Sequence, residues 1–165
     1  MKKISHLVFF TLLILTVSCA NAQQYGIVKA HAFYRQTVAG NIPVDENGNP
    51  TDNGVRRHHL IYIETSNGKP LPQIQQVFID GLPYSVQTIE ASQNEVNLGK
   101  LRGQEKEVII KKGSGNKLWQ LVIAPTENVT NDKPTASIVL SGQWKNKSFT
   151  YKITKVQQLA RINYP

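Results

Sequence analysis

An all-β fold, built as a two-sheet sandwich of about eight strands, is what three features of the chain predict. Beyond the N-terminal segment, apolar residues fall in short alternating runs separated by Gly, Pro, Asn and Asp. No window sustains an apolar repeat near the 3.6-residue period of a helix. Three turn sequences join runs whose alternation can be set in register, as antiparallel hairpins require.

Taken in order, the predicted strands are Tyr25 to Gln36, Arg57 to Thr65, Gln73 to Ile79, Leu82 to Ile89, Glu107 to Lys112, Lys117 to Ala124, Thr135 to Trp144 and Ser148 to Val156, extending toward Ile162. Asp80-Gly81 supplies the two positive φ angles of a type I′ turn, so Ile79 pairs with Leu82 and Val77 with Tyr84. Pro83 then lies opposite Phe78, and its missing N–H places it at a sheet edge. A second hairpin closes on Asn146-Lys147 or on Lys145 to Ser148. Both closures set Trp144 opposite Phe149, Gly142 opposite Tyr151 and Leu140 opposite Ile153 on one inner face. A third closes on Gly113-Ser114-Gly115-Asn116, placing Ile110 opposite Trp119 and Val108 opposite Leu121, with Trp119 in the core. Val156, Leu159, Ala160 and Ile162 have a helical spacing that a continued strand explains as well.

Strands of this number and spacing point to an immunoglobulin-like sandwich, with a small β-barrel as the alternative. The chain shows no internal repeat and no domain boundary, so residues 23–165 are read as one sandwich domain.

Residues 1–22 have the pattern of a secretory signal peptide. Lys2 and Lys3 precede an apolar run from Leu7 to Val17, and Ala20-Asn21-Ala22 offers small residues for cleavage after Ala22. The run is about half the roughly 20 residues a spanning helix needs. A competing reading makes Cys19 the acylated first residue of an outer-membrane lipoprotein, although Thr16 stands where that signal has a leucine-like residue. Either way an exported protein is expected: periplasmic or extracellular if cleaved after Ala22, anchored to the outer membrane if acylated at Cys19.

Cleavage after Ala22 removes the single Cys and the single Met, leaving 143 residues without thiol chemistry or disulfides. Stability must then come from apolar burial, for which such a length suffices. The formal charge of +8 falls to +6 on loss of Lys2 and Lys3, a balance that favours polyanions weakly. Arg56, Arg57, Lys111, Lys112, Lys145 and Lys147, with Lys152, are the candidates for such a surface, although adjacent strand residues split between faces.

Chemical motifs are sparse. Asp45, Asn47 and Asn49 open like a calcium loop, but Pro50 stands where that loop needs Gly and Arg56 where it needs Glu, so a polar turn is expected. His58 and His59, adjacent on a strand, point to opposite faces and with His31 make no evident zinc site. There is no Gly-x-Ser-x-Gly elbow, and Gly113-Ser114-Gly115-Asn116-Lys117 lies between strands rather than before a helix, unlike a phosphate cradle. Asn128-Val129-Thr130 and Asn146-Lys147-Ser148 match the N-glycosylation pattern, fortuitously so in a bacterial chain. The function expected is therefore a non-catalytic exported module, without cofactor or metal, binding an envelope protein through a sheet edge or loops. The alternatives are a basic surface for anionic polysaccharide or lipid headgroups, and an enzyme whose carboxylates meet only in space.

Overall fold

The computed structural model describes residues 25–124 and 133–163. The signal segment, Cys19 and the Asn128 triplet lie outside them. The described chain forms twelve strands and no helix. These are β1 (Ile27–Val38), β2 (Val55–Thr65), β3 (Gln73–Ile79), β4 (Leu82–Ser85), β5 (Gln87–Glu90), β6 (Glu95–Lys100), β7 (Glu107–Lys111), β8 (Lys117–Val122), β9 (Ile138–Trp144), β10 (Lys147–Ile153), β11 (Val156–Gln158) and β12 (Ile162–Asn163).

One sheet runs β11-β1-β2-β8-β5, with β12 also on β1, and a second runs β10-β9-β3-β4. Neither closes into a barrel. The antiparallel orders β1-β2-β8-β5 and β10-β9-β3-β4 correspond to A-B-E-D facing G-F-C-C′, the immunoglobulin-like arrangement. Between the sheets, Ala32, Ile61, Ile63 and Leu121 pack against Val77, Ile79, Ile138, Leu140, Phe149 and Ile153. Each of these side chains larger than Ala32 contributes about 1.5 to 3 kcal/mol by leaving water.

A third layer covers the outer face of the first sheet. The β6–β7 hairpin lays Leu98 and Ile110 over Phe33, Tyr62 and Leu118, forming a second core closed by Leu159. The hairpin's far end is tied to the C-terminal tail by a bridge between Leu101 and Leu159 and by Ala160 N–H to the Lys100 carbonyl at 2.8 Å.

The Asp80-Gly81 hairpin has the predicted register, with φ of 49° and 90° at the turn, and β4 is an edge strand. Four expectations need correction. First, Leu82 to Ile89 is two strands, because the chain leaves the second sheet after Ser85 and joins the first at Gln87. Second, the β9–β10 loop is Lys145-Asn146, both at positive φ, so Phe149 rather than Tyr151 lies opposite Gly142 and Trp144 faces Lys147. The shift is two residues, which preserves every facing. Third, β7 pairs with β6 and not with β8. Buried Glu64 on β2 accepts hydrogen bonds from Gly113 N–H at 2.7 Å and Asn116 Nδ2 at 2.6 Å, holding the loop so that β8 enters the first sheet while β7 stays above it. Fourth, the last strand does not run on from Ser148 through Val156 toward Ile162: β10 ends at Ile153, Val156 and Ile162 lie in the short strands β11 and β12 parallel to β1 in the other sheet, and Leu159, between them in the chain, makes an isolated bridge.

Gly142 marks the tightest backbone approach in the second sheet. A Cβ there would meet the Gln73 carbonyl oxygen at 1.9 Å, where β3 bulges between Ile74 and Gln76.

Candidate binding groove at the loop end of the sandwich

Three segments converge at one end of the sandwich: the β2–β3 loop, the β9–β10 turn, and Tyr25 before β1. The loop is fixed by its own composition. Ser66 N–H donates to the Gly26 carbonyl and Lys69 N–H to that of Ser66, each at 3.0 Å. Gly26, at φ +72°, lets the Lys69 stem lie against the backbone, since a Cβ there would come within 2.8 Å of Lys69 Cβ.

Trp119 reaches this end from β8. Its indole N–H donates to Thr65 Oγ1 at 3.1 Å, while Lys117 Nζ lies 5.6 Å from its ring centroid. Lys117 also meets Glu90 Oε2 at 2.9 Å. Trp144 reaches it from the end of β9, with Lys145 Nζ 5.8 Å from its ring. Both tryptophans are half-buried, packing on the core from one side only. The sequence reading that made them inner residues is thus half of their role.

Around them lie three adjoining hollows. One of about 430 Å³ lies between Lys69-Pro70-Leu71 and Trp144-Lys145. A second of about 600 Å³ lies on the other side of that loop, against Trp119, Lys117 and Thr88. A third of about 400 Å³ shares Trp144 and Lys145 with the first and is completed by Tyr25 and Lys147. Together they form a stepped groove carrying Lys69, Lys117, Lys145 and Lys147, with amide groups from Gln73, Gln143 and Asn146. Among the described residues, no carboxylate or imidazole lines any of the three, and Glu90 reaches them only through Lys117. The groove offers stacking faces, hydrogen bonds and positive charge, and lacks the paired acids of glycoside hydrolysis.

The other basic candidates lie elsewhere. Arg56 meets Asp52 Oδ2 at 2.5 Å, and Arg57, on the opposite face, sits 5.0 Å over the Tyr34 ring. Both are at the start of β2, whereas the groove is at its end. Lys111 pairs with Glu95 at 3.1 Å on the outer hairpin, with half-buried Lys112 next to it. Lys152 is exposed along β10. Sequence reasoning missed Lys69 and Lys117, which stand alone in their segments and gain company only through the fold.

The histidines and the Asp45 turn are accounted for locally. His58 Nε2 is 3.1 Å from Thr37 Oγ1, and His59, on the other face, is buried with Nε2 3.1 Å from Thr135 Oγ1. Burial, then the Arg57 charge, pulls the His59 pKa down to about 4, against a weaker raising effect of Asp80. His31 is likewise lowered by burial and by Lys29, partly offset by Glu64. Desolvation raises the Glu64 carboxyl, but hydrogen bonds from Asn116 and Gly113 outweigh it and leave the pKa lowered. Asp45 accepts from the Asn49 and Asn47 N–H groups at 2.8 Å each, closing its turn on itself. Among the described residues no three His, Cys, Asp or Glu side chains converge as metal ligands.

Fold and groove together define a small immunoglobulin-like sandwich with a basic, tryptophan-lined loop end. Compared with known family models, curated proteins and solved structures, the chain matches none.

Proposed function

We propose that the protein is a non-catalytic exported module that binds an anionic polysaccharide of the cell envelope or its surroundings in this groove. The observation that carries the reading is the pairing of each tryptophan with a lysine, Trp119 with Lys117 and Trp144 with Lys145, on either side of the β2–β3 loop. Half-buried indole faces stack on sugar rings, amide side chains bond hydroxyls, and ammonium groups meet uronate, sulfate or phosphate substituents. The two indoles, separated by a loop ridge, suit a chain of several sugars better than a single one. The apolar run at residues 7–17 and the small residues before Gln23 support export. Among the described residues no helix is long and apolar enough to cross a membrane.

Strand addition by a protein partner draws less support from the edges. β4 and β5 have four residues each, β4 carries Pro83, and β10 carries Lys147 and Lys152, features that discourage edge pairing.

The test is direct because the chain has only two tryptophans and both line the groove. Titration with acidic oligosaccharides such as oligogalacturonate should change tryptophan emission saturably, and neutral oligosaccharides of equal length should bind at least tenfold more weakly. Unchanged emission with every acidic glycan, or equal binding by Trp144→Ala, would sink the proposal.

A further inference from the structure

On the outer face of the first sheet, midway along β2 and under the β6–β7 hairpin, lies a separate hollow of about 550 Å³. That volume is in the range of small-molecule sites. Its floor is apolar, formed by Leu60 of β2 with Val96 and Leu98 of β6 beside the Tyr62 ring. Its rim is cationic: Arg35, Lys100 and Arg161 all line it.

The rim is held in place and incompletely satisfied. Arg35 Nη2 donates to the Leu98 carbonyl, but Arg35 Nε is buried without a hydrogen-bond partner among the described residues. A buried unpaired donor of a charged group costs free energy. Arg161 Nη2 donates to Gln36 Oε1 at 2.7 Å, which leaves the guanidinium charge itself uncompensated by any acid in that bond. Lys100 meets Glu105, whose side chain is 95% exposed, so water screens that pair strongly. The frame is closed by Ala160 N–H to the Lys100 carbonyl and by the bridge between Leu101 and Leu159. The cavity therefore exists before any ligand arrives.

We infer that this hollow binds an amphipathic anion, a carboxylate or phosphate head at Arg35, Lys100 and Arg161 with a short apolar body over Leu60, Val96 and Leu98. The inference is independent of the groove at the tryptophan end. An apolar floor under a cationic rim suits such a molecule better than it suits a sugar or a free inorganic anion, which would leave the floor wet. Binding should weaken with ionic strength, since the head is attracted by partly exposed cations.

Titration of the protein, followed by backbone amide resonances, tests it with octanoate and octyl phosphate as probes and with octanol and inorganic phosphate as controls. Saturable shifts of Leu98, Gly99 and Ala160 are expected with one or both amphiphiles, the tighter one naming the head group, and both controls should bind roughly tenfold more weakly or worse. Arg35→Gln should weaken binding about tenfold by removing charge-assisted hydrogen bonds. Because Arg35 also holds Leu98, Lys100→Gln at the exposed rim serves as the second variant, with a loss of roughly two- to fivefold. No saturable shift, shifts confined to residues 66–72 and 143–148, octanol or inorganic phosphate binding as tightly as the amphiphiles, or unchanged affinity in both variants would each overturn the inference.

Discussion

Trp119 gives its indole N–H to Thr65, a residue with no exposed surface, across 3.1 Å. The bond fixes the ring plane, and with it the face turned to Lys117 and to the second hollow. Trp119→Ala should therefore cost both stability, about 2 to 4 kcal/mol, and binding. Trp119→Phe keeps a stacking face and loses only the N–H, so about 1 kcal/mol is expected. Trp144→Ala, at the turn, should cost roughly 1 to 2 kcal/mol while weakening acidic glycan at least tenfold. Urea unfolding and tryptophan emission separate the two effects.

Lys145 occupies φ 49° at the first central position of the β9–β10 turn, a left-handed conformation costing an ordinary side chain about 1 kcal/mol. Lys145→Gly should raise stability by roughly 0.5 kcal/mol and weaken glycan binding. Loss of binding with a gain in stability is the signature of a groove residue; a loss of both would mean the lysine holds the turn.

Gly142→Ala places a methyl 1.9 Å from the Gln73 carbonyl oxygen, a backbone atom in the bulge of β3. The strands must separate, and about 3 kcal/mol or more should be lost. A variant within half a kcal/mol of wild type by urea midpoint would show that the bulge yields freely.

His59 should make stability fall on mild acidification. Its folded pKa is about 4 against 6.5, so above pH 6.5 it is neutral in both states and adds no pH dependence. Between pH 6.5 and 4 the unfolded chain binds the proton and the fold does not, so up to about 3 kcal/mol is lost over that window. His31 and His58, also lowered by burial, act in the same sense. Asp45, Asp52 and Glu64, held below their ordinary values, cost stability only at lower pH as they protonate. Urea midpoints measured at half-unit pH steps should slope between 6.5 and 4.5, and His59→Gln should flatten most of that slope.

Local chemistry carried most of the strands, though not β6, and the Asp80-Gly81 hairpin. Alternation of side chains every second residue and the positive φ that Asp-Gly accepts are properties of neighbours, readable without the fold. The same alternation concealed the change of sheet after Ser85. Tyr84 and Val86 both pack on the core between the sheets, so their spacing is continuous across the break. The β9–β10 turn was misplaced by one residue, which slips the pairing by two, for a related reason: a slip of two keeps Ile138, Leu140, Phe149 and Ile153 on the inner face, so facing was legible and partners were not.

The β6–β7 pairing and the groove belong to the tertiary structure. The alternating pairs Val96 and Leu98, and Val108 and Ile110, were an available signal for the outer hairpin, but the loop from Gly113 to Asn116 offered an equally good nearest-neighbour closure. What decides between them is Glu64, distant in sequence, whose carboxylate takes the loop's N–H groups. The sequence by itself determined an all-β chain and a basic balance, with an expectation of an immunoglobulin-like sandwich and of export, because these follow from composition and short-range pattern. Only the packed chain brings Lys69, Lys117, Trp119, Trp144 and Lys145 to one end, because they come from three separate stretches, the β2–β3 loop, β8 and the end of β9 with its turn, and their proximity is fixed by which sheet edges meet, a long-range relation that no local periodicity encodes.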